Sequence, residues 1–234
     1  DGRLYYGEVW LMEQTRQEVI KELKQVQEKV YQMGIRAGAA LDKSMKALCN
    51  GDRAMAAEVM QEDDVIDDMI IDIEDTCLLL IAKQQPIAHD LRVIATGFKI
   101  STDIERIGDH AFDIARTASN LKEPLDRERL QLIRELADCG QEMVAKAMEA
   151  YLKADVQLAD EVRHMDRKMD EIFERTFYSL SKFVTDEARH PERVTNLLFI
   201  SRFLERVGDH AVNIAEWVIY LETAERIHQK KKLS

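Results

Sequence analysis

Four short segments of the chain carry oxygen-bearing side chains spaced four residues apart. On a helix, residues at i and i+4 lie on one face, and carboxylates gathered there repel one another by roughly a few tenths of a kcal/mol. Clustered oxygen ligands suit hard or borderline divalent cations such as Mg, Ca, Mn and Fe. The candidate metal ligands are Asp64, Asp68, Asp72, Glu105, Asp109, Asp113, Asp166, Asp170, Glu174, Glu205, Asp209 and Asn213.

The four segments are predicted to meet in pairs. In an antiparallel helical hairpin, residues at one level have numbers that average to the number of the turn. Residues 68 and 105 average to a point at Pro86, and residues 170 and 205 to a point beside Glu187. We therefore expect two carboxylate clusters. The first has Asp68, Asp72, Glu105 and Asp109 at its centre, with Asp64 and Asp113 at its margin; the second has Asp170, Glu174, Glu205 and Asp209, with Asp166 and Asn213 at its margin.

Basic residues accompany the acids at repeated positions. Arg106 and Arg206 follow the first acid of two segments; salt bridges to the acids are the first expectation, and phosphate binding is the weaker one. His110 and His210 follow the second acid. They either ligate metal or bond a carboxylate beside it, or they pack between helices as partly buried side chains. The sequence leaves both roles open.

The acidic segments belong to an internal repeat. KISTDIERIGDHAFDIA at 99–115 and FISRFLERVGDHAVNIA at 199–215 share 10 of 17 positions at an offset of 100. Upstream, the repeat is expected to continue at an offset of 102, which aligns Asp64, Asp68 and Asp72 with Asp166, Asp170 and Glu174. Gly108 and Gly208 occupy matching places inside the repeat. Glycine within a helix costs about 1 kcal/mol against alanine, so close approach of a neighbouring helix or of a ligand is expected at both positions.

Apolar spacing of three and four residues predicts six helices. Their expected ranges are 11–48, 52–83, 87–121, 126–153, 156–186 and 191–228. Asp52, Asp126 and Asp155 are the expected N-terminal caps. The inward residues include Val19 to Ser44 on the first helix, Cys77 on the second and Leu91 on the third. The short loops predict antiparallel neighbours.

The predicted fold class is all-α, with two tandem antiparallel three-helix bundles that arose by internal duplication. The first repeat is assigned to residues 1–122 and the second to 123–234. The composition agrees, because the 234 residues include only 3 Pro and 9 Gly. The net charge of −11 disfavours nucleic acid as a partner. No apolar run reaches the ~18 residues needed to cross a membrane, so insertion in lipid is not expected.

The strings ERIGDHAFDIA and ERVGDHAVNIA, with IAKQQPIAHDLR before the first, resemble the PhoU family over nearly the whole chain. The resemblance implies a negative regulator of phosphate uptake and phosphate-starvation signalling. Its implied partners are the ATPase of the phosphate ABC transporter and a membrane sensor histidine kinase. The expected location is cytoplasmic, and peripheral at the inner membrane through protein partners. A weak homodimer is also expected.

Some members of that family carry multinuclear iron clusters or other divalent metals on an acidic motif. Carried over to this chain, the motif is Glu105 with Asp109 and Glu205 with Asp209. Iron is therefore the first expectation, with Zn, Mn, Mg and Ni as alternatives. Asn213 replaces the acid found in the first repeat, so the two sites are expected to differ in metal number or affinity.

Two other functions compete with this interpretation. A ferritin-like di-iron oxidase needs Glu-x-x-His motifs that face one another in a bundle core. The three such motifs here, Glu161/His164, Glu187/His190 and Glu225/His228, are not level with one another. A metal-free adaptor would instead use its acidic faces to bind a basic partner. No set of nucleophile, base and orienting residue stands out, so we do not predict an enzyme.

Overall fold

The protein is all-helical in the computed structural model, which describes residues 2–84, 86–121, 125, 127–186 and 191–227. Side chains are described from Arg16 onward, except those of residues 84, 127, 184–186 and 191 within these ranges. The six helices are α1 (Gly2–Asn50), α2 (Arg53–Gln84), α3 (Ala88–Asn120), α4 (Arg127–Lys153), α5 (Val156–Asp186) and α6 (Pro191–Thr223). The predicted all-α class and the six long helices are confirmed, and the described residues contain no strand.

Capping side chains begin α2 and α5 as predicted. The Met55 backbone N–H donates to Oδ1 of Asp52, and the Leu158 N–H donates to Oδ1 of Asp155, both at 3.0 Å. Each carboxylate satisfies a backbone donor that the first helical turn leaves without a partner. Asp126 lies outside the described residues.

Two predicted helix ends were wrong. α1 begins at Gly2 rather than at residue 11. α6 ends at Thr223 rather than at residue 228, because Ala224 takes a left-handed backbone conformation with φ of 62°. A residue in this conformation commonly ends a helix, although the apolar pattern continues beyond it.

Each repeat forms a three-helix unit, and the two units pack through α3 against α6 and through α1 against α4. α3 and α6 are antiparallel: Asn213 contacts Asp103, and Arg92 donates to the Leu221 carbonyl at 3.2 Å. α2 packs on α1 and α3, and α5 packs on α4 and α6. These two helices therefore flank the central four, and each places one face toward the acidic motif of its own unit.

The buried side chains follow the predicted stripes with one exception. Every predicted inward position of α1 from Val19 to Ser44 is buried, and Cys77 is fully buried on α2. Leu91, predicted to face the core, is 46% exposed. Asp90 takes the buried position beside it because its carboxylate bonds Arg16 and the Ile87 backbone N–H.

The predicted boundary at 122/123 falls outside the described residues and stays a prediction. Among the helices that the structure describes, none is long and apolar enough to cross a membrane.

Candidate metal centre

The two inward glycines fix how α2 lies on α3 and how α5 lies on α6. A methyl group at Gly108 would lie 3.1 Å from Cδ1 of Ile66, and one at Gly208 would lie 3.0 Å from Cγ of Met169. Each missing side chain therefore makes room for an apolar residue of the neighbouring helix, as predicted. Because Ile66 and Met169 are 103 residues apart, the expected offset of 102 was wrong by one residue.

This register changes which acids of α2 lie beside α3. Asp63, rather than Asp64, approaches the glycine, with its Oδ1 3.7 Å from the position of a Gly108 Cβ. Burial raises the pKa of Asp63 to about 6, assisted by the nearby charges of Asp67, Asp109, Asp64 and Glu105. Burial and the charges of Asp109 and Asp67 also raise the pKa of Glu105. Asp63, Asp67, Glu105 and Asp109 thus form one group, called here the first cluster.

The other predicted ligands of the first repeat lie around this cluster rather than at its centre. Asp72 points toward α1, where Lys29 Nζ lies 2.7 Å from its Oδ2. Asp113 accepts from Arg116 at 2.6 Å. Asp64 and Asp68 are exposed on α2. Successive residues of a helix point about 100° apart. In the pairs Asp63-Asp64 and Asp67-Asp68, only the first residue therefore faces α3.

The second repeat places its acids closer to the prediction. Glu205 and Asp209 lie on α6, and the charge of Asp170 on α5 acts on both. Desolvation is the first cause that raises the pKa of each of the two α6 acids. Asp166 is half-buried one turn before Asp170, at the position equivalent to Asp63. Asp166 is assigned to this group by that equivalence, and the four acids are called the second cluster.

Glu205 has one satisfied and one unsatisfied carboxylate oxygen. Oε1 accepts from Arg202 at 2.8 Å. Oε2 is buried and accepts no hydrogen bond from the part of the chain that the structure describes. A buried acceptor without a partner carries a free-energy cost, and a bound cation would remove it. The last two predicted ligands are placed otherwise: Glu174 is exposed on α5, and Asn213 donates to Asp103 at 3.0 Å.

The two arginines that follow Glu105 and Glu205 differ in their contacts. Arg106 pairs with Glu105 at 3.3 Å and with Asp109 at 2.8 Å, as predicted. Arg206 is exposed, and its charge counteracts the rise in the pKa of Asp209. The phosphate-binding alternative for both arginines stays untested.

The two histidines lie where α3 meets α6, with their ring centroids 5.8 Å apart. His210 Nδ1 bonds Oδ1 of Asp103 at 2.8 Å, whereas His110 stacks on Phe203 at 5.7 Å. Burial lowers the pKa of His110 to about 4, with the nearby His210 as the second cause. His110 thus packs between helices, which is one of the two predicted roles, whereas the carboxylate that His210 bonds belongs to neither cluster.

The donor chemistry of both clusters suits a divalent cation, because each combines carboxylates from two helices. As the side chains stand, no three His, Cys, Asp or Glu residues within the described ranges are grouped closely enough to hold a metal ion. Binding would therefore require rotation of carboxylates such as Asp67 and Asp109, which are partly or largely exposed.

The di-iron alternative gains no support from its one fully described motif. Glu161 and His164 are both exposed on α5, and Glu161 lies 3.8 Å from Lys146. Glu187, His190 and His228 lie outside the described residues.

Comparison with known proteins agrees with the repeat. A family model described as "PhoU domain" matches residues 30–118 and again residues 133–218. A "phosphate-specific transport system accessory protein PhoU homolog" of Clostridium acetobutylicum is 34% identical over 91% of this chain and 98% of its own length.

Two solved structures share the fold. A crystal structure of PhoU from Pseudomonas aeruginosa has a TM-score of 0.84 and 34% identity over 88% of this chain and 99% of the other. The phosphate transport system regulatory protein PhoU from Streptococcus pneumoniae has a TM-score of 0.83 and 27% identity. The match covers 90% of this chain and 100% of the Streptococcus pneumoniae chain.

Proposed function

Because the chain belongs to the PhoU family, we propose that it is a regulatory accessory protein of a phosphate transport system. Its role is to restrain phosphate uptake and starvation signalling when phosphate is plentiful. The relatives that cover most of both chains are named as transport accessory or regulatory proteins, which supports this role. Under this proposal the chain works by protein contacts and not by catalysis.

The proposed partners are the transporter ATPase and a sensor histidine kinase. The protein would act in the cytoplasm and reach the membrane through these partners. The fold supports an adaptor role, since six long helices offer extended outer faces on α2 and α5 while the central helices hold the two units together. A homodimer stays part of the proposal.

The proposal includes divalent metal at both clusters, with iron as the first candidate. The observation that carries it is the buried Glu205 Oε2, which has no hydrogen-bond donor among the described residues. The raised pKa values of Asp63, Glu105, Glu205 and Asp209 point the same way, because burial disfavours the charged form of a carboxylate that lacks enough positive charge nearby. Bound cations would neutralise the acids and fasten α2 to α3 and α5 to α6.

The assigned ligands differ in part from the sequence prediction. Asp63, Asp67, Glu105 and Asp109 would hold the first site, and Asp166, Asp170, Glu205 and Asp209 the second. Of these ligands, Asp166 was predicted at the margin of its cluster, and Asp63 and Asp67 were not predicted. The other five are unchanged from the predicted cluster centres. The second candidate is an adaptor without metal, whose acidic faces bind a basic partner. It is favoured by the absence of a ready-made coordination shell among the described side chains.

Regulation is tested by deleting the gene in the native host and measuring phosphate uptake together with a phosphate-starvation reporter in replete medium. We expect the reporter to be active without the gene and silent again when the wild-type gene is restored. Asp67→Asn/Asp109→Asn should fail to silence it, while the exposed pair Asp64→Asn/Asp68→Asn should succeed. A reporter that stays silent in the deletion strain would refute the regulatory proposal. Silencing by both variants would leave regulation standing but favour the metal-free adaptor.

A further inference from the structure

A cavity of about 430 Å³ lies between α3, α6 and the segment 224–227 that follows α6. Lys99 and Asp103 line it from α3, Trp217 and Tyr220 from α6, and Arg226 from the following segment. Cavities of this size, with aromatic walls and a few polar groups, are typical of small-molecule sites. None of the eight proposed cluster ligands lines it, so it is separate from both clusters.

One wall of the cavity is aromatic and carries a cation. Trp217 and Tyr220 meet edge to face, with centroids 5.8 Å apart and planes at 82°. The Arg226 guanidinium lies 5.5 Å from the Trp217 centroid and 5.3 Å from that of Tyr220. Both rings are only half-buried, and Arg226 is exposed. A planar ring can therefore stack on this wall beside the guanidinium without opening the core.

Both acids that line the cavity contact other polar residues of the protein. Asp103 accepts from both His210 and Asn213, at 2.8 and 3.0 Å. Glu216, the second acid of the lining, lies 3.6 Å from Arg163. Within the described residues, Lys99 and Arg226 form no ion pair with a carboxylate. The acids are thus engaged by the protein, and the two cations are left to face an anion.

The two repeats differ at this cavity, although the adjoining motif is retained. At an offset of 100, Lys99 corresponds to Phe199 and Asp103 to Phe203. Trp217 and Tyr220 correspond to Thr117 and Asn120. The differences have structural consequences, since Asp103 bonds His210 whereas Phe203 stacks on His110. Lys99, Trp217 and Tyr220 therefore have no counterpart of the same chemical type in the other repeat.

We propose that this cavity binds a ring-bearing phosphate anion of nucleotide size. The ring stacks on Trp217 and Tyr220, where stacking on aromatic side chains contributes roughly 1–3 kcal/mol per base. The phosphate is bound by Lys99 and Arg226, whose charged donors form stronger hydrogen bonds than neutral ones do. Asp103, held by His210 and Asn213, repels a phosphate on its own side and so directs it toward the cations.

The test is calorimetric titration of the full chain with AMP, adenosine and inorganic phosphate, in chelator so that the carboxylate clusters hold no metal. We expect AMP to bind at least tenfold more tightly than either adenosine, which lacks the charge, or phosphate, which lacks the ring. Lys99→Met and Arg226→Met should each weaken AMP binding about tenfold or more. Trp217→Leu should weaken it similarly, while Trp217→Phe should retain most of it.

Lys182→Met is the matched control, because Lys182 also lies over an aromatic ring, 4.1 Å from the Tyr178 centroid, but outside the cavity. It should leave AMP binding unchanged. The proposal is overturned if AMP gives no heat at millimolar concentration, if phosphate alone binds as tightly as AMP, or if Lys99→Met and Lys182→Met behave alike. None of these results bears on regulation or on the carboxylate clusters, which are tested separately.

Discussion

Replacing Asp63 with asparagine is expected to stabilise the metal-free protein near neutral pH. The wild-type carboxyl has an ordinary pKa of 3.8 when unfolded and about 6 when folded, because it is buried among acids. The folded state therefore binds more protons between these values, and this side chain makes the fold less stable as pH rises from about 4 to about 6. Asparagine resembles the protonated form and avoids the penalty.

The size of the effect follows from the shift in pKa. Two units correspond to at most about 3 kcal/mol at 1.36 kcal/mol per unit. Asp63 is half-buried, so solvent screening reduces this to about 1–2 kcal/mol. For a chain of this length, the melting temperature Tm should rise by roughly 3–6 °C at pH 7.5. The gain should shrink as pH falls and vanish below about pH 4, where both proteins lack the charge.

The measurement is thermal unfolding of both proteins in chelator across pH 4 to 8. Asp68→Asn is the matched control, because Asp68 is exposed on the same helix and is not among the groups acting on Asp63. It should change stability by no more than about 0.5 kcal/mol. In excess divalent metal, the sign for Asp63→Asn should reverse, because a lost ligand weakens binding that favours the folded state.

Two results would refute this reasoning. If Asp63→Asn lowers the Tm in chelator at pH 7.5, the carboxylate is stabilising and its neighbours do not repel it. If it raises the Tm equally at pH 4 and at pH 7.5, the gain is unrelated to its charge.

Three further substitutions test the packing and the buried ion pair by the same unfolding measurements. Gly208→Ala should destabilise by about 1 kcal/mol, because its methyl group would press on Met169 Cγ at 3.0 Å and overpacking outweighs the helix propensity gained. Gly140→Ala meets nothing closer than 3.5 Å and should stabilise by about 0.5–1 kcal/mol; the opposite order would refute the close approach of α5. Arg16→Met should lower the Tm at neutral pH, since Arg16 holds down the pKa of buried Asp90. The ordinary pKa of Asp90 is 3.8, and its pKa in the folded protein is lower. The loss of Tm should therefore fade as pH falls below about 3.8 and Asp90 becomes protonated in both states. A loss that does not depend on pH would contradict the ion pair.

The helices and their core faces could be predicted from the sequence, because apolar spacing and capping residues are local signals. The register of α2 could not be read from the acids alone. Asp63-Asp64 and Asp67-Asp68 are adjacent pairs, so the spacing of four fits two different helix faces. The signal that distinguishes them is also in the sequence: the caps Asp52 and Asp155 are 103 residues apart, as are Ile66 and Met169.

Contacts between the two repeats were beyond prediction from the repeat itself. Asp103 meets His210 and Asn213 across the junction of α3 and α6, and internal similarity says nothing about how two copies pack together. The end of α6 was missed for a different reason. The left-handed conformation at Ala224 lacks the glycine that usually signals such an ending.

The most direct test of the account is the metal content of four proteins after reconstitution with ferrous iron without oxygen, and separately with Mn²⁺. These are the wild type, Asp67→Asn/Asp109→Asn and Asp170→Asn/Asp209→Asn, with Asp64→Asn/Asp68→Asn as control. We predict that each cluster variant loses about half of the bound metal and that the control retains all of it. Equal metal in all four proteins, or none in the wild type, would contradict metal binding at these clusters.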